Sequence, residues 1–268
     1  MEGFETRDIV RIHERGASRE GDYVANEDAL SIAISSPEFG SYNLGVTMRT
    51  RGDDSNLVLG FLYSEGVISS FDEVGMIDSG DDVVSVSLVE GTAFDPSVHC
   101  RPSTVSSSCG ICGRSTIDDA LNMHGGTCLD DRARVSLSTI STCLDQMSSS
   151  QTLFSNTGGT HACASFDSEG SIQRIFEDVG RHNAMDKLVG SFFSEGALPA
   201  DGMICLVSGR ASFELVHKSI RAGFPILVAI GAPSTLAVDL AKEHGQTLIC
   251  FARSNALTVY SGLRRVVQ

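Results

Sequence analysis

The first hundred residues contain no lysine and, before Cys100, no cysteine, and nowhere does the chain carry a run of basic residues. Those hundred residues set six arginines against nineteen acidic side chains, a net −13, whereas residues 101–268 are close to neutral at −1. Neutralising the phosphates of a duplex takes clustered Lys and Arg, so nonspecific nucleic-acid binding is excluded as a function class. The longest apolar stretch, Phe224 to Ala232, falls far short of the roughly 20 residues that span a bilayer. The start, Met1-Glu2-Gly3-Phe4-Glu5, is acidic and lacks the apolar segment of a secretory signal. The expectation is a soluble cytoplasmic protein whose thiols stay reduced, so a disulfide framework is not expected.

What is present suits one large domain or a medium domain with a smaller attachment: 268 residues, 41% hydrophobic and 20% charged. Residues 1–25 read as a polar leader. Residues 26–98 read as a small α/β unit, with strands at Leu30–Ile34, Tyr42–Met48 and Asp82–Val89. Its helix runs over Asn56–Glu65, with Asp53 and Asp54 placed to cap the start. Residues 99–268 form the third segment, with helices at Ser115–Met123 and Ser136–Met147. Short apolar runs (Met203–Val207, Pro225–Ile230, Thr247–Phe251) then alternate with helices (Phe213–Arg221, Thr235–His244), the pattern of β-α-β units with parallel strands. The fold class is α/β.

All eight cysteines lie at position 100 or beyond. Cys109-Gly110-Ile111-Cys112-Gly113-Arg114 allows three chemistries: structural zinc, dithiol redox and a nucleophilic thiolate. Permissive glycines, an adjacent arginine and the start of a helix favour a lowered thiol pKa. Zinc needs two further ligands, for which His99, Cys100, His124 and Cys128 are near enough, although none makes a second tight pair. Zinc-dependent deamination lacks its parts, since Ser108 stands at the proline position and no His-x-Glu precedes the pair. Two polar clusters follow. Asn156 to His161 combines a double glycine with a histidine, and Glu177 to Lys187 places a polar face on a helix. The three C-terminal strands each end in a small, polar loop: Ser208-Gly209-Arg210-Ala211-Ser212, Gly231-Ala232-Pro233-Ser234 and Ala252-Arg253-Ser254-Asn255. Ligands of open parallel sheets bind beyond the carboxyl ends of the strands, and two of these loops feed helix N-termini that attract phosphate. A nucleotide-sized anionic ligand is expected there.

These segments, in order, resemble the formate dehydrogenase accessory sulfurtransferases (FdhD proteins) from about Asn26 to Arg265. The resemblance rests on SSCGICGRS (107–115), TGGTHACA (157–164), EDVGRHNAMDKLVG (177–190) and SGRASFELVHK (208–218). VTMRTRGDDSNLVLGFLYSEGVI (46–68) and GAPSTLAVDLAKEHGQTLICFAR (231–253) add to it. It implies a three-layer α/β/α, cytidine-deaminase-like domain with a smaller N-terminal α/β domain, acting as a homodimer. It also implies a sulfurtransferase that takes persulfide sulfur from a cysteine desulfurase onto Cys109, with Cys112 assisting. The acceptor would be the molybdenum bis(molybdopterin guanine dinucleotide) cofactor, on its way to the catalytic subunit of formate dehydrogenase. The guanine dinucleotide, or a guanine nucleotide mimicking it, would lie over the strand-end loops. Its contacts there would be Ser208, Gly209, Arg210, Gly231, Ser234, Thr235 and the segment Phe251, Ala252, Arg253, Ser254, Asn255, Ala256. His161, Asp178, Arg181 and His182 would line the route between the cysteine loop and that crevice. Where the family has Asn-(Ile/Val)-Tyr near the end, this chain has Thr258-Val259-Tyr260, a departure that touches one side-chain amide contact near the ligand. Two other readings stand beside this one: a noncatalytic chaperone of the molybdenum cofactor, and a zinc-stabilised nucleotide-binding protein.

Overall fold

The structure, a computed structural model, describes residues 3–96 and 132–267. Cys109, Cys112, the expected helix at 115–123 and the residues offered as zinc ligands (His99, Cys100, His124, Cys128) lie outside the described residues.

Residues expected to form a polar leader instead make a regular antiparallel hairpin of β1 (Phe4–His13) and β2 (Gly16–Ala25), in unbroken register from Phe4↔Ala25 to His13↔Gly16. Its side chains are largely exposed on both faces, so no buried stripe marked it as a strand pair in the sequence.

The small N-terminal unit is a four-stranded sheet in the order β4-β3-β6-β5, built from β3 (Asp28–Ser36), β4 (Gly40–Arg49), β5 (Val74–Ser79) and β6 (Val83–Leu88). Alternation along β3 and β6 turns Leu30, Ile32, Ile34, Val84, Val86 and Leu88 to one face, where α1 (Asp54–Ser64) covers them with Leu57, Val58 and Leu62. Asp53 stands at the N-cap but in the left-handed region, and its side chain makes no cap bond. Asp54 is drawn instead to Arg49, a fully buried guanidinium that meets both its carboxylate oxygens at 3.0 and 2.8 Å. Satisfying a buried cation outweighs the roughly 1 kcal/mol of a typical cap.

The larger unit centres on a six-stranded sheet in the order β13-β12-β11-β10-β8-β9. Its strands are β8 (His161–Phe166), β9 (Ile172–Asp178), β10 (Ile204–Val207), β11 (Ile226–Ala229), β12 (Thr247–Arg253) and β13 (Ala256–Ser261). β10, β11 and β12 are parallel neighbours, while β8 pairs antiparallel with β10 and β9. Ile204, Leu206, Ile226 and Val228 face α2 (Leu137–Ser150), whose Ser136 cap accepts from Thr139 N. The alternate residues Cys205, Val207, Leu227 and Ala229 face α4 (Arg181–Ser194), α5 (Phe213–Arg221) and α6 (Thr235–Glu243). Both faces are covered, which gives the expected three layers. The short helix α3 (Thr152–Thr157) and a small pair, β7 (Val135–Ser136) with β14 (Val266–Val267), complete it.

The two units meet where α1 crosses α4. A Cβ on Gly60 would lie 1.9 Å from the Asp186 carbonyl oxygen, and one on Gly190 would lie 1.8 Å from that of Asn56. The glycines let the helix backbones touch. In an exposed helix, Gly→Ala gains about 1 kcal/mol of propensity. Here the methyl must force the backbones apart, at about 1–3 kcal/mol or more. Gly190→Ala is therefore expected to lower the melting temperature by several degrees in a thermal scan. An unchanged or raised value would mean that the helices separate at no cost.

Candidate functional site

Because β8 runs against β10 and β9 runs with it, one edge of the sheet gathers the carboxyl ends of β9, β10, β11 and β12 and the start of β8. His161 opens β8 opposite Asp178, the last residue of β9. The Ser208–Ser212 loop leaves β10, Gly231–Ser234 leaves β11, and Phe251 to Ala256 turns from β12 into β13.

Backbone bonds lace these loops side by side. Gly231 N donates to Gly209 O at 2.9 Å, Phe251 N to Gly231 O at 3.1 Å, and Ala211 N to Ala232 O at 3.1 Å. Gly231 is required there, since a Cβ would stand 2.9 Å from the Arg210 Cα and from the Gly209 oxygen. Gly209 also lies against both His161 and Arg181, 3.5 Å from His161 Nδ1 and 3.7 Å from Arg181 Cδ when its absent Cβ is built. Residues far apart in sequence thus form one surface.

Three helices of nine or more residues, α4, α5 and α6, begin at this edge. The sequence pointed to two of those N-termini. The third, α4, was missed because Gly180 is an inconspicuous N-cap whose helix starts on the polar Arg181-His182 pair. Three positive dipole ends beside Arg181, Arg210 and Arg253 make the edge favourable to anions despite the chain's net charge of −14. Arg181 Nε is buried with no hydrogen-bond partner, a donor lacking an acceptor.

The site residues named from the sequence divide by exposure. Arg210, Ser234, Thr235, Phe251, Arg253, Ser254, Asn255 and Ala256 are exposed, while Ser208, Gly209, Gly231, His161 and Arg181 are half-buried. Phe251 is 45% exposed and holds a φ of 53°, a left-handed conformation that costs a non-glycine residue about 1–2 kcal/mol. The strain places an aromatic ring at the site's rim, where it can stack on a base. Ala252 is buried and packs into the core, so it offers backbone only. Two hydroxyls have internal work: Ser208 Oγ accepts from Ala162 N, and Ser234 Oγ caps α6. Arg253 Nη1 donates to the Ile230 and Ala252 carbonyls, which fixes its base against the loops.

Asp178 and His182 play a different part from the route-lining one expected. Asp178 is fully buried; it accepts from Gly180 N at 2.8 Å, Asn183 Nδ2 at 3.0 Å and Thr50 N at 3.2 Å, and pairs with Lys187 Nζ at 2.8 Å. It anchors the start of α4 to the N-terminal unit. His182 is also buried, with Nε2 2.7 Å from Glu214 and 3.4 Å from Ser212 Oγ. Glu214, which the sequence reading did not single out, holds that ring, and its place in the first turn of α5 was the available signal. His161 has its pKa pushed below the ordinary value by burial first, then by Arg181 and His182, with Asp178 opposing. The double glycine has structural work as well: Gly158 ends α3 at φ 64°, and Gly159 packs on Ala25 at the hairpin base.

The described thiols are poor nucleophiles. Burial pushes Cys143 and Cys250 up to about 12 and Cys163 well above its ordinary value, and Cys205 is fully buried beside Cys163. Among the described residues no group of three or more His, Cys, Asp or Glu could hold a metal, and no helix is long and apolar enough to cross a membrane.

Comparison with known proteins bears on the whole chain. The sequence is 40% identical to the "Sulfur carrier protein FdhD" of Streptomyces avermitilis, covering 98% of this chain and 95% of that one. It is 41% identical to the protein of the same name from Thermoplasma acidophilum, covering 98% and 93%. The fold matches the crystal structure of a candidate formate dehydrogenase accessory protein from Desulfotalea psychrophila with a TM-score of 0.76 at 24% identity, over 99% of this chain and all of that one. The sequence model of the FdhD/NarQ family matches residues 25–267, and the chain belongs to that family.

Proposed function

We propose that this protein is a sulfurtransferase of formate dehydrogenase maturation. It accepts persulfide sulfur from a cysteine desulfurase on Cys109 and delivers it to the molybdenum bis(molybdopterin guanine dinucleotide) cofactor. The observation that carries this reading is the convergence of three strand-end loops, three helix N-termini and three arginines on one sheet edge, which suits a polyanionic dinucleotide. The names of the relatives support the sulfur-carrying half of the reading. The exposed Arg210 on the loop after β10 supports the anion half, because its guanidinium is open to a phosphate oxygen.

Persulfide chemistry needs a thiolate that attacks the sulfane sulfur of the donor and releases the donor's thiolate. The buried thiols at 143, 163 and 250 hold their protons too tightly for this. The Cys109–Cys112 pair, with glycine after each cysteine and Arg114 beside it, has the composition of an activated thiol. Attack by Cys112 on the Cys109 sulfur would expel hydrosulfide and leave a disulfide, which an external dithiol reduces before the next cycle.

The anchoring half is tested by titrating GDP into the protein by calorimetry. Losing one charge-assisted contact removes about 1.5–3 kcal/mol, so Arg181→Ala or Arg210→Ala should weaken binding at least about tenfold. Lys242→Ala, in the last turn of α6 and at the opposite edge of the sheet, should leave it unchanged. Equal affinity in all three variants would remove the crevice from the account.

A further inference from the structure

The edge where the strand-end loops converge gathers carboxylates and imidazoles, and among the described residues all but one of them are engaged. Glu177 accepts from Leu153 N, Phe154 N and Thr160 Oγ1. Asp178 is paired with Lys187, and Glu214 holds His182, which is only 5% exposed and out of a substrate's reach. The exception is His161. Its ring is half-buried, lies along Gly209 on the loop after β10, and has no hydrogen-bond partner among the described residues. The other described histidines are placed elsewhere: His13 at the tip of the hairpin, His217 stacked on Phe213 within α5, and His244 at the far end of α6.

A half-open, unengaged imidazole has what proton transfer requires, a lone pair with no partner to give up on accepting. Its surroundings favour the neutral form: burial acts first, then Arg181 and His182, with Asp178 opposing. Gly209 keeps the ring uncovered, because a side chain there would begin 3.5 Å from His161 Nδ1 and 3.7 Å from Cε1.

Sulfur delivery has a proton to move. When Cys112 attacks the Cys109 sulfur, the Cys109–Cys112 bond forms and the bond to the outer sulfur breaks. The outer sulfur leaves as hydrosulfide with both electrons of the broken bond. Cys112 enters as a thiol and must lose its proton. Hydrosulfide then replaces an oxygen ligand of the metal acceptor, and that oxygen leaves as water, which takes two protons. Hydrosulfide supplies one. We propose that His161 carries the other, taking it from the Cys112 thiol and passing it to the displaced oxygen. Cys112 is oxidised as the outer sulfur is reduced, the metal keeps its oxidation state, and no further reactant is needed. This role rests on the proposed function and gives it an acid–base group.

The test separates the two. The reduced protein is loaded with sulfur by a cysteine desulfurase and cysteine, the bound sulfur is quantified, and both reagents are removed. Sulfide release is then followed in a single turnover across pH. His161→Gln is expected to load as fully as the wild type and to release sulfide about a hundredfold more slowly or less. The wild-type rate should level off below about pH 6.5, the ordinary imidazole value, whereas the variant's rate should climb on toward the thiol range near about 8.5. Added imidazole should restore release in His161→Ala. Wild-type speed in His161→Gln would overturn the proposal. So would a slow variant that keeps the wild-type pH profile and gains nothing from imidazole, since that pattern belongs to a structural role. A wild type that takes up no sulfur fails at the loading step, which removes the proposed function and this role with it.

Discussion

Cys109→Ala is expected to abolish formate dehydrogenase activity in a complementation strain, while the protein stays folded and binds GDP as the wild type does. The effect should be the largest of any single substitution. A covalent carrier has no partial substitute: without the thiolate no bond to sulfur forms, and the remaining crevice can only hold the acceptor. Cys112→Ala should be severe but less so, because the first persulfide still forms and only its release is slowed. Removing a buried thiol such as Cys143 should leave sulfur transfer intact and cost stability alone, since burial keeps that group protonated. Full activity in Cys109→Ala would transfer the carrier role elsewhere. Loss of activity with sulfur still accepted on Cys112 would reverse the order of the two cysteines.

Lys187→Met is expected to destabilise the fold by about 3–5 kcal/mol, the usual consequence of removing one partner from a buried ion pair. In the wild type the ammonium lies 2.8 Å from Asp178 and donates to Thr50 O at 2.9 Å, so it joins α4, the end of β9 and the N-terminal unit. The variant leaves Asp178 charged in a site that is 0% exposed, with only neutral donors around it. At about 2–4 °C per kcal/mol for a chain of this size, the melting temperature should fall by roughly 10 °C. The double variant Asp178→Asn/Lys187→Met should recover part of that loss, because it removes the uncompensated charge. If the double variant is no better than Lys187→Met, the pair matters for shape rather than for charge. A second pair behaves in parallel. Burial raises the Asp186 carboxyl above its ordinary value while Lys218, at 2.5 and 2.7 Å, opposes the rise. The folded chain then holds that proton more tightly than the unfolded chain. Asp186 therefore contributes less to stability as pH climbs from the ordinary carboxylate value through the raised one.

Much of the architecture was legible because burial leaves a periodic trace. The helix over Phe213–Arg221 and the strands at β10, β11 and β12 follow apolar spacing closely, and Gly223 and Gly245 mark the turns that end α5 and α6. The hairpin was read as a polar leader because an arm exposed on both faces keeps almost no hydrophobic signature. The convergence of the three loops followed from the rule for parallel strands, since each loop's composition could be read where its strand ended. The roles of Asp178, His182 and Glu214 were not legible, for a different reason. A polar residue on a helix face looks the same in sequence whether it meets solvent, a ligand or another buried charge. Only the packing of α4 against β9 and the N-terminal unit shows that Asp178 and Lys187 face each other. The α1–α4 crossing was hidden likewise, because Gly60 and Gly190 lie 130 positions apart in sequence, and nothing local shows that two backbones touch there.

The acidic excess of residues 1–100 first excluded nucleic acid as a ligand. With the fold in view, it is the charge of the arm and the small sheet. The near-neutral remainder holds seven of the eight cysteines and the three arginines of the crevice. The central claim is that sulfur travels on Cys109. It is tested most directly by incubating the reduced protein with a cysteine desulfurase and isotopically labelled cysteine, then mapping the label by peptide mass spectrometry. The expected result is one additional sulfur on the peptide containing Cys109, lost on treatment with a dithiol and absent in Cys109→Ala. A protein that binds GDP but shows no transferable sulfur on Cys109 or Cys112 would contradict the account and leave a noncatalytic cofactor chaperone in its place.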